Sequence, residues 1–316
     1  MTYQVSPAVQ FDLSEDQSAI LSGLEQLIGS LNIEAPKDPV VSAYSQPLDD
    51  ELTAGGFFEI TQQEGFGLLD GALIVEALAK LPVSVEAAAT ILVAPAFLED
   101  AGRRPVALVS GSAAVPARFL PMAKTLLVDK GDDVLRIDIP EGAVEEVETL
   151  FAYPYGRLKN PEALPAVSLG ASRVAELRRR WRVAIAVEAA GLMQSALDTV
   201  LEHVKTRQQF GRPIGSFQAI QHRLVMAAEQ GQATRWLALR AAWSDSDADA
   251  AIAATYAQDA TPKFANDLHQ FCGAMGLTLE FPLHHWTYRL RALLGELGGS
   301  SGSALAAADA VWVKAS

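Results

Sequence analysis

TRQQFGRPIGSFQAIQHRLVMAA, residues 206–228, joins two helical patterns across a break that contains Gly211 and Gly215. Upstream, ASRVAELRRRWRVAIAVEAAGLMQSALDTVLEHVK from Ala171 onward keeps apolar residues at helical spacing. Run through to Gly211, it predicts one helix of ~40 residues, roughly 60 Å long at 1.5 Å per residue. Helices of that length are stabilised by packing on other helices or other subunits. Downstream, SFQAIQHRLVMAAEQGQATRWLALRAAWSDS and DADAAIAATYAQDATPKFANDLHQFCGAMGL continue the helical pattern, with alanine stripes that permit close helix contact.

Two further regions lie upstream. Residues 11–101 read as helices: Ser14 with Gln17 forms a possible capping box, Pro36 and Pro39 interrupt the pattern, and DDELTAGGFFEI is a short helix ending at Gly55 and Gly56. LLDGALIVEALAKL and VEAAATILVAPAFLEDAG are apolar over wide faces and are expected to be buried helices. From about residue 104 to 148 the pattern changes to short aliphatic runs, RPVALVSG, KTLLVDKG and DVLRIDIP, punctuated by Gly, Pro and Asp; these read as strands, with KGDDVLRI as a hairpin. The expected fold class is mostly α with a small β domain. It comprises an N-terminal helical domain (1–102), a reduced β domain (103–165) and a C-terminal four-helix bundle (166–316).

The chain has 316 residues and a net charge of −13, which argues against nucleic-acid and anionic-membrane partners, since both need basic surface. A single cysteine, Cys272, leaves no intramolecular disulfide and fits a reducing compartment. The first residues have neither a basic start nor an apolar core, and no apolar run approaches the ~20 residues of a membrane span. The expectation is a soluble, cytoplasmic protein.

Within residues 206–228, Arg207 stands beside exposed amides at a helix joint. A guanidinium donates two parallel hydrogen bonds to phosphate oxygens, so the arrangement suits a diphosphate, and Phe210 could cover an adenine or a flavin edge. On residue types alone, solvated cap residues are the stronger reading. The segment resembles the central motif of the acyl-CoA dehydrogenases, and GGFFEITQQEGFGLLDGALIVEALAKLPVSVEAAATILVAP resembles the same family's N-terminal helical domain. QFCGAMGLTLEFPLHHWTYRLRAL resembles its Gln-x-x-Gly-Gly-x-Gly segment, with Gln270, Gly273 and Gly276 matching and Ala274 replacing a glycine. The resemblance implies that Arg207, Gln209, Phe210, Gln270 and Gly273 contact the diphosphate and adenosine part of an FAD held by a neighbouring subunit.

Two departures from the family pattern are equally informative. The family's carboxylate base falls on Ser300 at one position and on Trp181 at the other, so no catalytic residue is assigned; Glu296 and Glu188 are the nearest acids. Between residues 104 and 155 the flavin-ring segment of full-length members is absent, and VSGSAAVPARF is the nearest stretch to it. Retention of the Arg side and loss of the ring side resemble one subunit of the heteromeric α2β2 members known in steroid breakdown. The implied function is α,β-dehydrogenation of an acyl-CoA thioester, with a homologous subunit supplying the base and an electron-transfer flavoprotein taking the electrons. The alternatives are a structural subunit that binds no flavin, or a homomeric dehydrogenase using Glu296 or Glu188. Among other residues, Glu188 is expected to meet an interhelical Arg, residues 178–182 to form a solvated basic face, Cys272 to be a buried apolar residue, and His284 and His285 not to bind metal.

Overall fold

The computed structural model describes residues 12–36, 44–99 and 103–313; Pro39 and the boundary at residue 102 lie outside them. Helix α1, Glu15–Ser30, begins with the expected capping box, Ser14 and Gln17 exchanging two 3.1 Å hydrogen bonds. Gln17 also donates to Asp70, tying α1 to the buried helix α3, Leu68–Ala79; α2, Gln46–Ala54, lies between them in the chain. The long helix expected from residue 85 onward is not formed. Only Ala88–Leu92 is α-helical (α4), and the chain tightens into a 3₁₀ turn at Ala94–Ala96, where Pro95 has no N–H to continue the ladder. Glu86 is buried beneath α4 and accepts from the backbone N–H groups of Ala89, Thr90 and Val106. It thereby joins the helical domain to the first strand.

The middle region holds β1 (Val106–Ser110), β2 (Ala117–Arg118), β3 (Thr125–Asp129), β4 (Val134–Asp138), β5 (Val144–Glu146), β6 (Tyr155–Leu158) and β7 (Ala166–Ser168). One sheet runs β1-β3-β4-β7, with β1 parallel to β3 and the other pairs antiparallel; the second is an antiparallel β2-β6-β5. The β3–β4 pair is the hairpin read from KGDDVLRI. Strand β7 lies just past the boundary placed at residue 165 and closes the edge of β4. A small core of Val109, Leu120, Leu126, Val128 and Ile137 fills the space between the sheets.

Helix α5, Val174–Thr206, runs through the centre of a bundle completed by α6 (Gln218–Ser244), α7 (Asp247–Cys272), α8 (His284–Leu293) and α9 (Gly299–Ala308). With 33 residues it is roughly 50 Å long, shorter than expected, because the backbone leaves helical geometry at Arg207. Residues 183–193 of α5 are buried without exception, which is the signature of a helix enclosed on all sides. It is long and apolar enough to cross a membrane by length and composition, yet 78% of that window is buried by the rest of the chain. The basic run on its first turns is not a solvated face. Arg178 pairs with Asp129 of β3 at 2.6 Å, and Arg179 reaches Asp245 and Asp247 at the α6–α7 joint. These pairs fasten the bundle's central helix to the sheet and to its neighbours.

Candidate functional site

Two places gather the residues singled out from the sequence, and they differ in every physical respect. The first is an exposed end of the bundle. Beyond Thr206 the chain forms a two-residue hairpin, Gln208-Gln209 pairing with Arg212-Pro213 as β8 and β9, so that Phe210 and Gly211 occupy the turn. Both have positive φ, 54° and 78°, as a tight primed turn requires. Gly211 adopts this freely, whereas Phe210 does not. Phe210 is also 91% exposed, an aromatic ring held out from the chain on a strained backbone. The hairpin is braced from below: Phe217 meets the Phe210 ring edge-on, the Arg212 guanidinium lies 4.1 Å over the Phe217 ring, and the Ile214 N–H donates to the Arg207 carbonyl.

The α7–α8 joint sits at the same end. His203, in the last turn of α5, packs its ring against Phe281, while Arg223 of α6 pairs with Asp267 of α7. Gln270 and Gly273 line an open cleft of about 660 Å³ together with Ala274, Tyr288 and Arg291. Gly273 has φ 59° and ψ −139°, a conformation that side chains oppose, and no atom lies within 4 Å of where a Cβ would point. The cleft is therefore open in front of the turn, and Ala274 places its methyl group at its edge.

Charge distinguishes this end from the rest of the surface. Among the described residues, twelve of the seventeen arginines make an ion pair with a carboxylate. Of the other five, Arg289 is buried and donates to the carbonyls of His285, Val83 and Leu81, and Arg182 is half-buried. Arg207, Arg212 and Arg291 are the exposed ones, and all three stand at this end. Cations without carboxylate partners on a chain of net charge −13 give this end a positive character that the rest of the surface lacks. The histidines beside them add no charge at neutral pH: burial and the neighbouring Arg207 hold His203 below its usual range, and burial does the same to His269, with Arg291 adding to it.

The second place is buried, where β2 of the small sheet meets α5 and the loop after α8. Arg118 donates to both oxygens of Glu188 at 3.0 and 2.7 Å and through Nε to Glu296 at 2.6 Å. Tyr153 donates to Glu188 and the Trp181 indole N–H to Glu296, each at 2.5 Å. Burial alone would weaken the charge on Arg118; Glu188 and Glu296 reverse this and hold its pKa well above the ordinary value. Tyr153 is held far above its usual range by burial and by the charge on Glu188. Glu296 reaches inward because Leu297 adopts φ 51° and because Gln258 of α7 donates to the carbonyls of Leu293 and Glu296. The cavity bordering Tyr153, Glu188 and Arg289 is only about 20 Å³, little more than one water.

The expected site residues thus fall on both places. Arg207, Gln209, Phe210, Gln270 and Gly273 are all exposed at the bundle end. Trp181 lies at the buried cluster, and Ser300 is half-buried at the start of α9. Glu188 does meet an arginine, but one from strand β2 and not from a neighbouring helix. Cys272 is buried, its thiol pushed up to about 12 by burial, and the described residues contain no cluster of three metal-ligating side chains. Sequence reading missed Arg118 and Arg291. Arg118 is the penultimate residue of the VSGSAAVPARF stretch, but its partners are 70 and 178 residues away, so no local pattern announces them.

Residues 170–306 match the protein family described as acyl-CoA dehydrogenase, C-terminal domain. The chain is 36% identical over 185 residues to acyl-CoA dehydrogenase FadE34 of Mycobacterium tuberculosis, covering 55% of this chain and 24% of that protein. It is 37% identical over 105 residues to the probable acyl-CoA dehydrogenase YngJ of Bacillus subtilis, covering 32% of this chain and 28% of the relative. The aligned part spans about a quarter of the length of these curated relatives. Among solved structures, the steroid ACAD Tcur3481-Tcur3483 (G363A variant) superposes with a TM-score of 0.78 at 20% identity, over 95% of this chain and 99% of that one. The ChsE4-ChsE5 complex from Mycobacterium tuberculosis gives 0.76 at 19% identity, over 94% and 97%. The fold is that of these solved structures, and residues 170–306 match the acyl-CoA dehydrogenase C-terminal domain.

Proposed function

We propose that this chain is one subunit of an FAD-dependent acyl-CoA dehydrogenase, lending its Arg207 hairpin to an FAD site shared with a homologous subunit that supplies the catalytic base. The observation that carries this reading is the pairing pattern of the arginines. Three unpaired guanidinium groups and an open cleft stand at one end, while the acids nearest the family's base positions are engaged at the other. The exposed end fits the group: Arg207 is free to form a bidentate contact with a diphosphate, Gln209 offers an amide beside it, and Phe210 presents a ring face for an adenine. Gln270 and the Gly273 turn would approach the adenosine side.

FAD, when bound, accepts the hydride that leaves the β-carbon of the thioester while a base removes the α-proton. Among the described residues, neither of the acids nearest the family's base positions is free to be that base. A general base must reach the proton it removes, and Glu188 and Glu296 are instead both held by Arg118, with only a water-sized cavity beside Glu188. The geometry thus opposes a homomeric enzyme that uses either acid. The hairpin and cleft bind across the subunit boundary. The likeness to a steroid ACAD suggests a steroid-derived thioester as substrate; an α2β2 arrangement, an electron-transfer flavoprotein as acceptor and a cytoplasmic location complete the proposal. Ala274 at the cleft edge favours a second reading, a structural subunit without flavin.

The test is the visible flavin spectrum of the chain purified alone and after co-expression with a homologous partner. The expected result is a colourless chain alone and one FAD per two unlike chains together. One FAD per chain in isolation would overturn the shared site, and a colourless complex would leave the structural subunit.

A further inference from the structure

We infer that Arg291 is a phosphate-binding residue, holding a phosphate of FAD in the cleft at the α7–α8 joint. The inference rests on the shared site proposed above and adds to it a residue that no motif assigns. Arg291 lies in the last turn of α8 and lines the cleft of about 660 Å³ with Asn266, Gln270, Gly273 and Tyr288. It makes no ion pair, although the chain carries thirteen more acids than bases and twelve other arginines have found one. An exposed guanidinium left unpaired in such a field stays available to an anion from outside the chain.

The surroundings narrow the ligand. The Nδ1 of His269 lies 2.6 Å from the Gly276 carbonyl, so it carries the proton and is spent on shaping the 273–277 turn. Burial first, and the charge of Arg291 second, keep that imidazole neutral. Arg291 is therefore the cation of the cleft, next to amides from Asn266 and Gln270 and the phenol of Tyr288. One guanidinium with neutral donors around it suits a phosphate flanked by a sugar. Arg207, at the same end, then takes the neighbouring phosphate, so the diphosphate is held from two helices and not from the hairpin alone.

The experiment uses the complex with its partner subunit. Apo complexes carrying Arg291→Gln, Arg291→Lys, Arg207→Gln or Arg240→Gln are titrated with FAD, and binding is read from flavin fluorescence. Circular dichroism and size-exclusion chromatography check that each complex is intact. A charge-assisted hydrogen-bonded contact contributes enough that Arg291→Gln should weaken FAD binding about 10-fold or more. Arg291→Lys should recover part of this, and Arg240→Gln, at a surface pair with Asp249, should change nothing. If Arg207→Gln weakens FAD while Arg291→Gln stays within about twofold of the parent complex, the role of Arg291 is overturned and the shared site stands. If neither weakens FAD, the shared site falls and this inference with it. CoA also carries phosphates, so the affinity for free CoA is measured in parallel. A loss of CoA binding with FAD binding intact would assign the cleft to CoA and overturn the inference.

Discussion

Arg118 and Arg207 are the same residue in opposite circumstances. Arg118 is almost wholly enclosed and shares its charge between two carboxylates, while Arg207 is exposed at a helix end with no carboxylate in reach. A buried guanidinium must be compensated from within the chain, because its desolvation penalty is large. An exposed one need not be, and leaving three of them uncompensated in an acidic protein points to something outside the chain. The acids that resemble residual catalytic groups have thus become structural, whereas the residues that look like ordinary helix caps stay available for a ligand.

That contrast can be broken by experiment. The largest effect belongs to the buried cluster: Arg118→Ala leaves Glu188 and Glu296 without their cation and should cost about 3–5 kcal/mol in denaturant unfolding. A loss under ~1 kcal/mol would mean that the cluster is solvated and open. A pH series examines the same region from α8. His285 is buried, and its pKa is lowered to about 4 by burial, then by His284 and Arg289. The unfolded chain binds this proton more readily than the folded one, so stability should rise with pH between about 4 and the ordinary value of 6.5. Acidification from pH 7 to pH 5 should cost on the order of 1–2 kcal/mol from this group, with His203 and His269 acting in the same direction. His285→Gln should flatten that slope; an unchanged slope would assign it elsewhere.

At the exposed end the predictions invert. Arg207→Ala removes no internal pair, so the isolated chain should keep its stability within about 0.5 kcal/mol, while the complex loses flavin. A substantial loss of stability would make Arg207 structural after all. The smallest effect is at Phe210, whose positive φ is strained. Phe210→Asn, a residue that tolerates this conformation, should stabilise the isolated chain by about 0.5 kcal/mol and yet lower flavin retention in the complex. Destabilisation would show that the ring packs against its own chain more than its 91% exposure implies.

Most of the helical domain and bundle was legible in the sequence, because apolar spacing and caps are local signals: the Ser14–Gln17 box and the buried run of α3 sit where the pattern puts them, while α5 ends at Thr206, short of the Gly211 that the pattern suggested. The exceptions have local causes of another kind. Helix α4 stops after five residues ahead of Pro95, and the basic run on α5 turned inward to acids on β3 and at the α6–α7 joint. The residues of the exposed end were also legible, since Arg207 to Phe210 lie together in the chain. What only the tertiary structure decided is who meets whom. Arg118 finds Glu188 and Glu296 across 70 and 178 residues, and Arg291 joins Gln270 and Gly273 in one cleft. Whether an acid is a base or a strut depends on the charge folded against it, and a charge brought from a distant strand leaves no periodicity to read.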